Sequence, residues 1–145
     1  MIFEFKMEKL LRLKIREKEQ AEVSYAASVD RFEELAQTLF QLLKQRERIE
    51  EHSSHQFRQK VVINELQQTQ RFLLSLSQRI ADLHERVLHA RREMNEAQQW
   101  LVEKTTDVKK LEKLKEKREE VHKEHIRLYE MKESDEVAVR RYINV

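Results

Sequence analysis

The chain has 145 residues, a formal net charge of +2 from 29 basic and 27 acidic residues, and no Gly, Pro or Cys. Average usage of about 7% Gly and 5% Pro would place roughly ten and seven of them in such a chain. These residues supply positive φ and stop helices, so their absence excludes the turn-rich sandwiches, barrels and α/β folds.

Charged residues make up 39% of the chain and aromatics 7%, a balance that could describe disorder, but hydrophobic residues also reach 39%. Their regular spacing is what disordered chains lack. A thin apolar seam on a charged surface predicts an all-α fold, a long antiparallel two-helix coiled-coil hairpin forming a single domain over 1–145. No run of 18 apolar residues offers a membrane span, and residues 1–6 lack the apolar stretch of a signal peptide. The absence of Cys is compatible with the cytoplasm.

Helix one is expected over about 4–51, roughly 70 Å at about 1.5 Å per residue. Leu11 and Ile15 begin its seam, Lys18 and Glu22 interrupt it, and Tyr25, Val29, Phe32, Ala36, Leu39 and Leu43 continue it in phase. Leu35, Leu42 and Ile49 form a second apolar row beside it. The turn is expected at about 52–58, where Glu51, His52, Ser53, Ser54 and His55 make the one cluster of helix-indifferent residues. Ser53 or Ser54 could cap the next helix.

Helix two is expected over about 59–132, roughly 110 Å. Its seam reads Leu66, Thr69, Leu73, Leu76, Ile80, Leu83, Val87, Ala90, Met94, Ala97, Leu101, Lys104, Val108, Leu111, and twelve of these fourteen positions are apolar. That spacing, alternately three and four, keeps one stripe on a partner helix. A reversal near residue 57 would set i opposite about 114 − i, so helix two should overhang helix one by about twenty residues. The seam does lose its apolar character past Leu111, leaving Leu114, Val121 and Leu128. The segment 133–145 is expected to be a mobile tail. Parallel or domain-swapped pairing would satisfy the same seam.

Glu119, His122 and His125 share a helical face, but a carboxylate-bridged metal site needs two Glu-x-x-His helices in a bundle core. Surface histidines account for them better, and His52 and His55 read as turn residues; no metal or cofactor is expected. Without Gly there is no phosphate loop, and a helix pair encloses no site for a catalytic triad, so the chain is not expected to be an enzyme. Between Lys104 and Arg127 nine basic residues mix with six acidic ones. No aromatics interleave, which suits a solvated face better than nucleic acid. Phe72 and Trp100 flank the helix-two seam on the side of Leu35, Leu42 and Ile49, with Leu42 expected to face Phe72. This strip either widens the core or forms a partner groove.

The opening Phe3-x-Phe5-x(4)-Leu10-Leu11-x-Leu13-Lys14-x(2)-Glu17-Lys18-Glu19-x-Ala21 resembles the start of the FliJ family of flagellar export proteins. Gln70-Arg71-Phe72-Leu73-x(2)-Leu76 resembles the Gln-rich segment of that family's second helix. Met131-Lys132-Glu133-x-Asp135-Glu136-x-Ala138-x-Arg140-Arg141-Tyr142 resembles its acidic-then-basic terminus. Thr69 departs from the pattern, where the family often has an aromatic.

The resemblance implies a non-enzymatic central stalk of the hexameric flagellar export ATPase that promotes its assembly and activity. It implies contacts with the cytoplasmic region of the export gate protein FlhA and with export chaperones, a cytoplasmic location peripheral to the cell membrane, and a part in motility and chemotaxis. The gate-binding residues would be Leu42, Ile49, Phe72 and Leu76, with Thr38, Gln45, Arg79 and Leu83 as neighbours. The ring would meet the free ends, at Phe5, Leu11, Ile15, Leu111, Leu114, Arg118, Val121 and Leu128. An injectisome stalk of the same fold, or a purely structural or nucleic-acid-organising coiled coil, is the alternative.

Overall fold

The computed structural model describes residues 2–58 and 62–144, with the backbone alone at 57 and 58. Two helices make up the fold, α1 (Glu8–Arg58) and α2 (Ile63–Ile143), packed against each other as a hairpin with no strand among the described residues. Local chemistry favours both starts. Glu8 and Glu65 stand in the first turns, where the positive end of the helix dipole favours acids. The Phe5 carbonyl accepts from the Glu8 amide at 3.0 Å, and the Val62 carbonyl accepts from the Glu65 amide at 3.1 Å. Arg140 and Arg141 occupy the last turn of α2, which suits its negative end.

The seam expected in α2 is the face it buries. None of its fourteen positions is exposed; Leu76, Ile80, Leu83, Ala90 and Val108 are buried and the other nine partly so. The α1 seam runs slightly differently from the expected one. It passes through Ala21, which is fully buried, where Glu22 was expected, and takes in Ser28, which is 7% exposed. The Ser28 hydroxyl donates to the Tyr25 carbonyl at 2.6 Å, which removes the cost of burying it. Beyond Leu39 the seam follows Leu42 and Ile49, while Leu43 lies exposed. The row read as secondary is therefore the seam itself.

The turn lies elsewhere than the sequence suggested. Residues 52–58 are helical, so Ser53 and Ser54 cap nothing, and the reversal falls between Arg58 and Ile63; positions 59–61 lie outside the described residues. The physical reason is that His and Ser are weak helix formers rather than breakers, and half-buried Ser53 and Gln56 carry the stripe onward. Gln56 Nε2 also sits 3.0 Å from His52 Nε2, one turn away.

Contacts divide the chain into two compact units, Met1–Gln20 with Val102–Val145, and Ala21–Leu101. The first unit holds a small core of Phe5, Leu11 and Val108, backed by Phe3, Met7, Ile15, Leu111 and Leu114. The second is held by the seam from Ala21 and Ser28 through Leu76, Ile80, Leu83 and Ala90. Within the first unit Lys14 meets Asp107 and Glu17 meets Lys104; within the second, Arg31 meets Glu93. The two numbers of each pair add to about 121–124, so the register is displaced by roughly seven to ten residues from the expected one, as the later turn requires.

Candidate functional site

The free ends are built from the non-helical segment ahead of α1. Phe5, 8% exposed, packs into the small core, and the Arg118 guanidinium lies 5.7 Å from its ring centroid. The Phe3 ring lies 5.5 Å from the His122 ring. Lys115 Nζ reaches Glu8 at 3.0 Å. Pairing therefore continues through residue 122, where an overhang beginning just past Leu111 was expected. His122 is half-buried against Phe3, so it is not the surface histidine the sequence suggested.

Unpartnered helix begins later. From Arg127 to Asn144 every residue is exposed, yet α2 continues to Ile143, so the segment expected as a tail from 133 is helix for most of its length. Arg127 helps stiffen its start, donating from Nη2 and Nε to the Glu124 carboxylate at 2.7 and 3.1 Å. That fork holds the Glu124 carboxyl below the usual carboxylate range. Tyr129 is raised above its ordinary value by the neighbouring Glu133 carboxylate.

The proposed ring-contact residues thus separate into two groups. Phe5 and Leu11 are buried, and Ile15, Leu111 and Leu114 are half-buried, so these five hold the ends together. Arg118, Val121 and Leu128 are exposed. The proposed gate residues separate likewise. Leu76 is 1% exposed and Leu83 8%, so they act as packing. Leu42 and Ile49 line an open groove on α1 with Thr38, Gln41, Gln45 and Arg48. Phe72 is 47% exposed on α2. The observed register sets Phe72 opposite about 49–52 rather than opposite Leu42.

One feature of the ends escaped the sequence reading. Glu17 accepts from Lys104 at 3.0 Å and from Lys14 at 3.3 Å, and Lys14 also lies 3.9 Å from Asp107. The bond to Lys104, then that to Lys14, holds the Glu17 carboxyl below its ordinary range, and Glu17 in turn raises the Lys104 ammonium. Lys104 is one of the two polar positions in the α2 seam. Its signal was an unlike charge on the facing helix, which becomes visible only once the register is known.

Among the described residues no group of three or more His, Asp or Glu could hold a metal ion, and no helix is long and apolar enough to cross a membrane. What the molecule presents is helix surface: a groove, an exposed Phe72 and an exposed helical end. These features define an all-α coiled-coil hairpin with exposed helix faces. The family model described as "Flagellar FliJ protein" matches residues 3–145. The Flagellar FliJ protein of Bacillus subtilis (strain 168) is 31% identical over 143 residues, covering 99% of this chain and 97% of that relative. The chain belongs to the flagellar FliJ family. No solved structure matches it.

Proposed function

We propose that the chain is a non-enzymatic component of the flagellar protein export apparatus, acting as the central stalk of the hexameric export ATPase. Family membership over nearly the whole length carries this reading. The free ends engage the ring pore, through exposed Arg118, Val121 and Leu128 and the single-helix segment beyond Ile126. Mixed charge with few apolar anchors suits a loose, reversible fit better than a permanent interface. A ligand that binds assembled subunits better than free ones shifts the equilibrium toward assembly. Phe72 and the groove at Leu42 and Ile49 contact the cytoplasmic region of FlhA, supported from beneath by Leu76, and export chaperones bind the same protein. The chain would then sit at the inner face of the cell membrane through the apparatus rather than by insertion.

The test is ATPase activity at limiting enzyme concentration. Adding the protein should raise the activity, and the gain should shrink once the ring is already formed. A chain ending at Ile126 keeps the observed pairing between α1 and α2 and should lose most of the stimulation. Equal stimulation by the shortened chain would overturn the stalk contact proposed here.

A further inference from the structure

Within the unit formed by Met1–Gln20 and Val102–Val145, one segment lies on α2 through its side chains alone. Residues 2–7 precede α1 and are not helical. Their apolar and charged side chains alternate. Phe3, Phe5 and Met7 pack into the small core with Leu111 and Leu114, while Glu4 and Lys6 stay exposed. Alternation of this kind puts one face of a non-helical run against a support and the other in water. Among the described residues the backbone hydrogen bonds of this segment are local, from the Glu8 amide to the Phe5 carbonyl at 3.0 Å and from the Leu11 amide to the Met7 carbonyl at 2.9 Å, and none reaches α2. Ile2 is 89% exposed. An open groove lined by Phe3, Phe5, Glu8, Lys115 and Glu119 runs beside the segment.

Beneath the segment lies the start of the face offered to the ring. Leu114, Arg118, Val121, His125 and Leu128 are spaced alternately four and three, so they share one line of α2. The Phe5 ring lies 5.7 Å from the Arg118 guanidinium on that line, and the Phe3 ring 5.5 Å from the ring of His122 beside it. A guanidinium is drawn toward an aromatic face, so Phe5 keeps Arg118 occupied. The contact at His122 carries a penalty. Its Nε2 is closed off from solvent and has no hydrogen-bond partner, and a buried polar atom without a partner disfavours the state that buries it. Apolar burial of Phe3 and the unsatisfied nitrogen oppose each other, which makes the closed position shallow.

Building on the stalk reading, we propose that residues 2–7 are a strap that opens and closes on α2 and, when closed, occupies Arg118 and covers His122 at the base of the ring-contact face. Opening frees the guanidinium and the imidazole and joins them to Val121 and Leu128 in one face. The ring binds the open state, so its apparent affinity is reduced by the fraction of chains that are closed. The free chain is thereby held in a state of low ring affinity, and the ring itself shifts it to the open one. Weakening the strap strengthens the ring contact, the reverse of what losing a contact residue does.

Histidine acylation by diethyl pyrocarbonate, read by peptide mass, tests the strap in the free full chain. His122 should react more slowly than the exposed His84 and His125. Phe3→Ala should speed His122 by about fivefold or more, from lost apolar burial, with the rate at His84 and the helicity by circular dichroism unchanged. The same variant should stimulate the export ATPase at a lower protein concentration than the natural chain requires. Because the sequence has no Cys, Phe3→Cys with His122→Cys can be bridged specifically by a bismaleimide. The bridged chain should need more protein for the same stimulation than its own unbridged form. Equal His122 rates in the natural chain and Phe3→Ala overturn the strap, whatever the ATPase does, and lost helicity in Phe3→Ala overturns it by making Phe3 a packing residue. Faster labelling with no change in stimulation, by Phe3→Ala or by the bridge, overturns the role at the ring. A natural chain that stimulates nothing overturns the stalk reading and the ring role together, and the labelling rates then decide the strap alone.

Discussion

Glu17 shows how one carboxylate ties the ends of the hairpin together. Its proton is released more readily in the folded chain than in the unfolded one, because Lys104 and Lys14 donate to the ionised form. A lowered folded value contributes stability that is complete above the unfolded value and lost as pH falls through the folded one. Acid should therefore loosen the ends, by an amount kept small by exposure to solvent and salt. Thermal or urea midpoints of Glu17→Gln should lie below those of the natural chain at neutral pH, and the two should converge as pH falls well under the ordinary carboxylate value. A second residue-scale expectation concerns Phe72. It is half-exposed and off the seam, so Phe72→Ala should weaken FlhA binding by more than the roughly 1 kcal/mol of a peripheral contact while leaving helicity near normal. Binding and helicity lost together would make it a packing residue. Unchanged affinity measured by calorimetry would remove Phe72 from the proposed gate contact.

At the scale of elements, α2 was the legible one. Its seam of fourteen positions rests on period alone, and period is a property of sequence that burial follows directly. The phase of α1 was harder to read, because Ala21 beside Glu22 and Ser28 beside Val29 both offer a small residue that close helix approach can bury. The turn was illegible for a simpler reason. No Gly or Pro marks it, and His52, Ser53, Ser54 and His55 lower helix propensity without ending a helix that packing supports. That displacement carried into the register, and with the register went the partners of Lys104, His122 and Phe72. The late-starting free segment of α2 carries its own expectation. A chain ending at Ile126 should lose ellipticity in proportion to the missing helix alone, with its thermal midpoint nearly unchanged, because the removed residues are exposed and the pairs from Phe3–His122 inward remain. A midpoint lowered by many degrees would show that the segment supports the hairpin as well as projecting from it.

For the whole molecule, antiparallel pairing makes sequence separation grow steadily from turn to ends. Arg31 and Glu93 are 62 residues apart, and Phe5 and Arg118 nearly twice that. Each doubling of the closed segment costs roughly 0.6 kcal/mol in chain entropy when it closes unaided, and almost nothing once the inner pairs have formed. Pairing near the turn should therefore come first. Leu83→Ala should slow folding, while Val108→Ala should chiefly speed unfolding, as stopped-flow rates across urea concentrations would show. Leu83 slowing nothing while Val108 slows folding would reverse the order.

Synthesis runs against that order. Phe3 and Phe5 leave the ribosome early relative to their partners Arg118 and His122, which are made more than a hundred residues later. At about 5–20 residues per second, the start of the chain waits roughly 5 to 25 seconds for its complement. Through that interval α1 carries a bare apolar stripe from Leu11 to Ile49 with nothing to cover it. The dense charge along the rest of its surface is then what keeps a half-made hairpin from adhering to its neighbours.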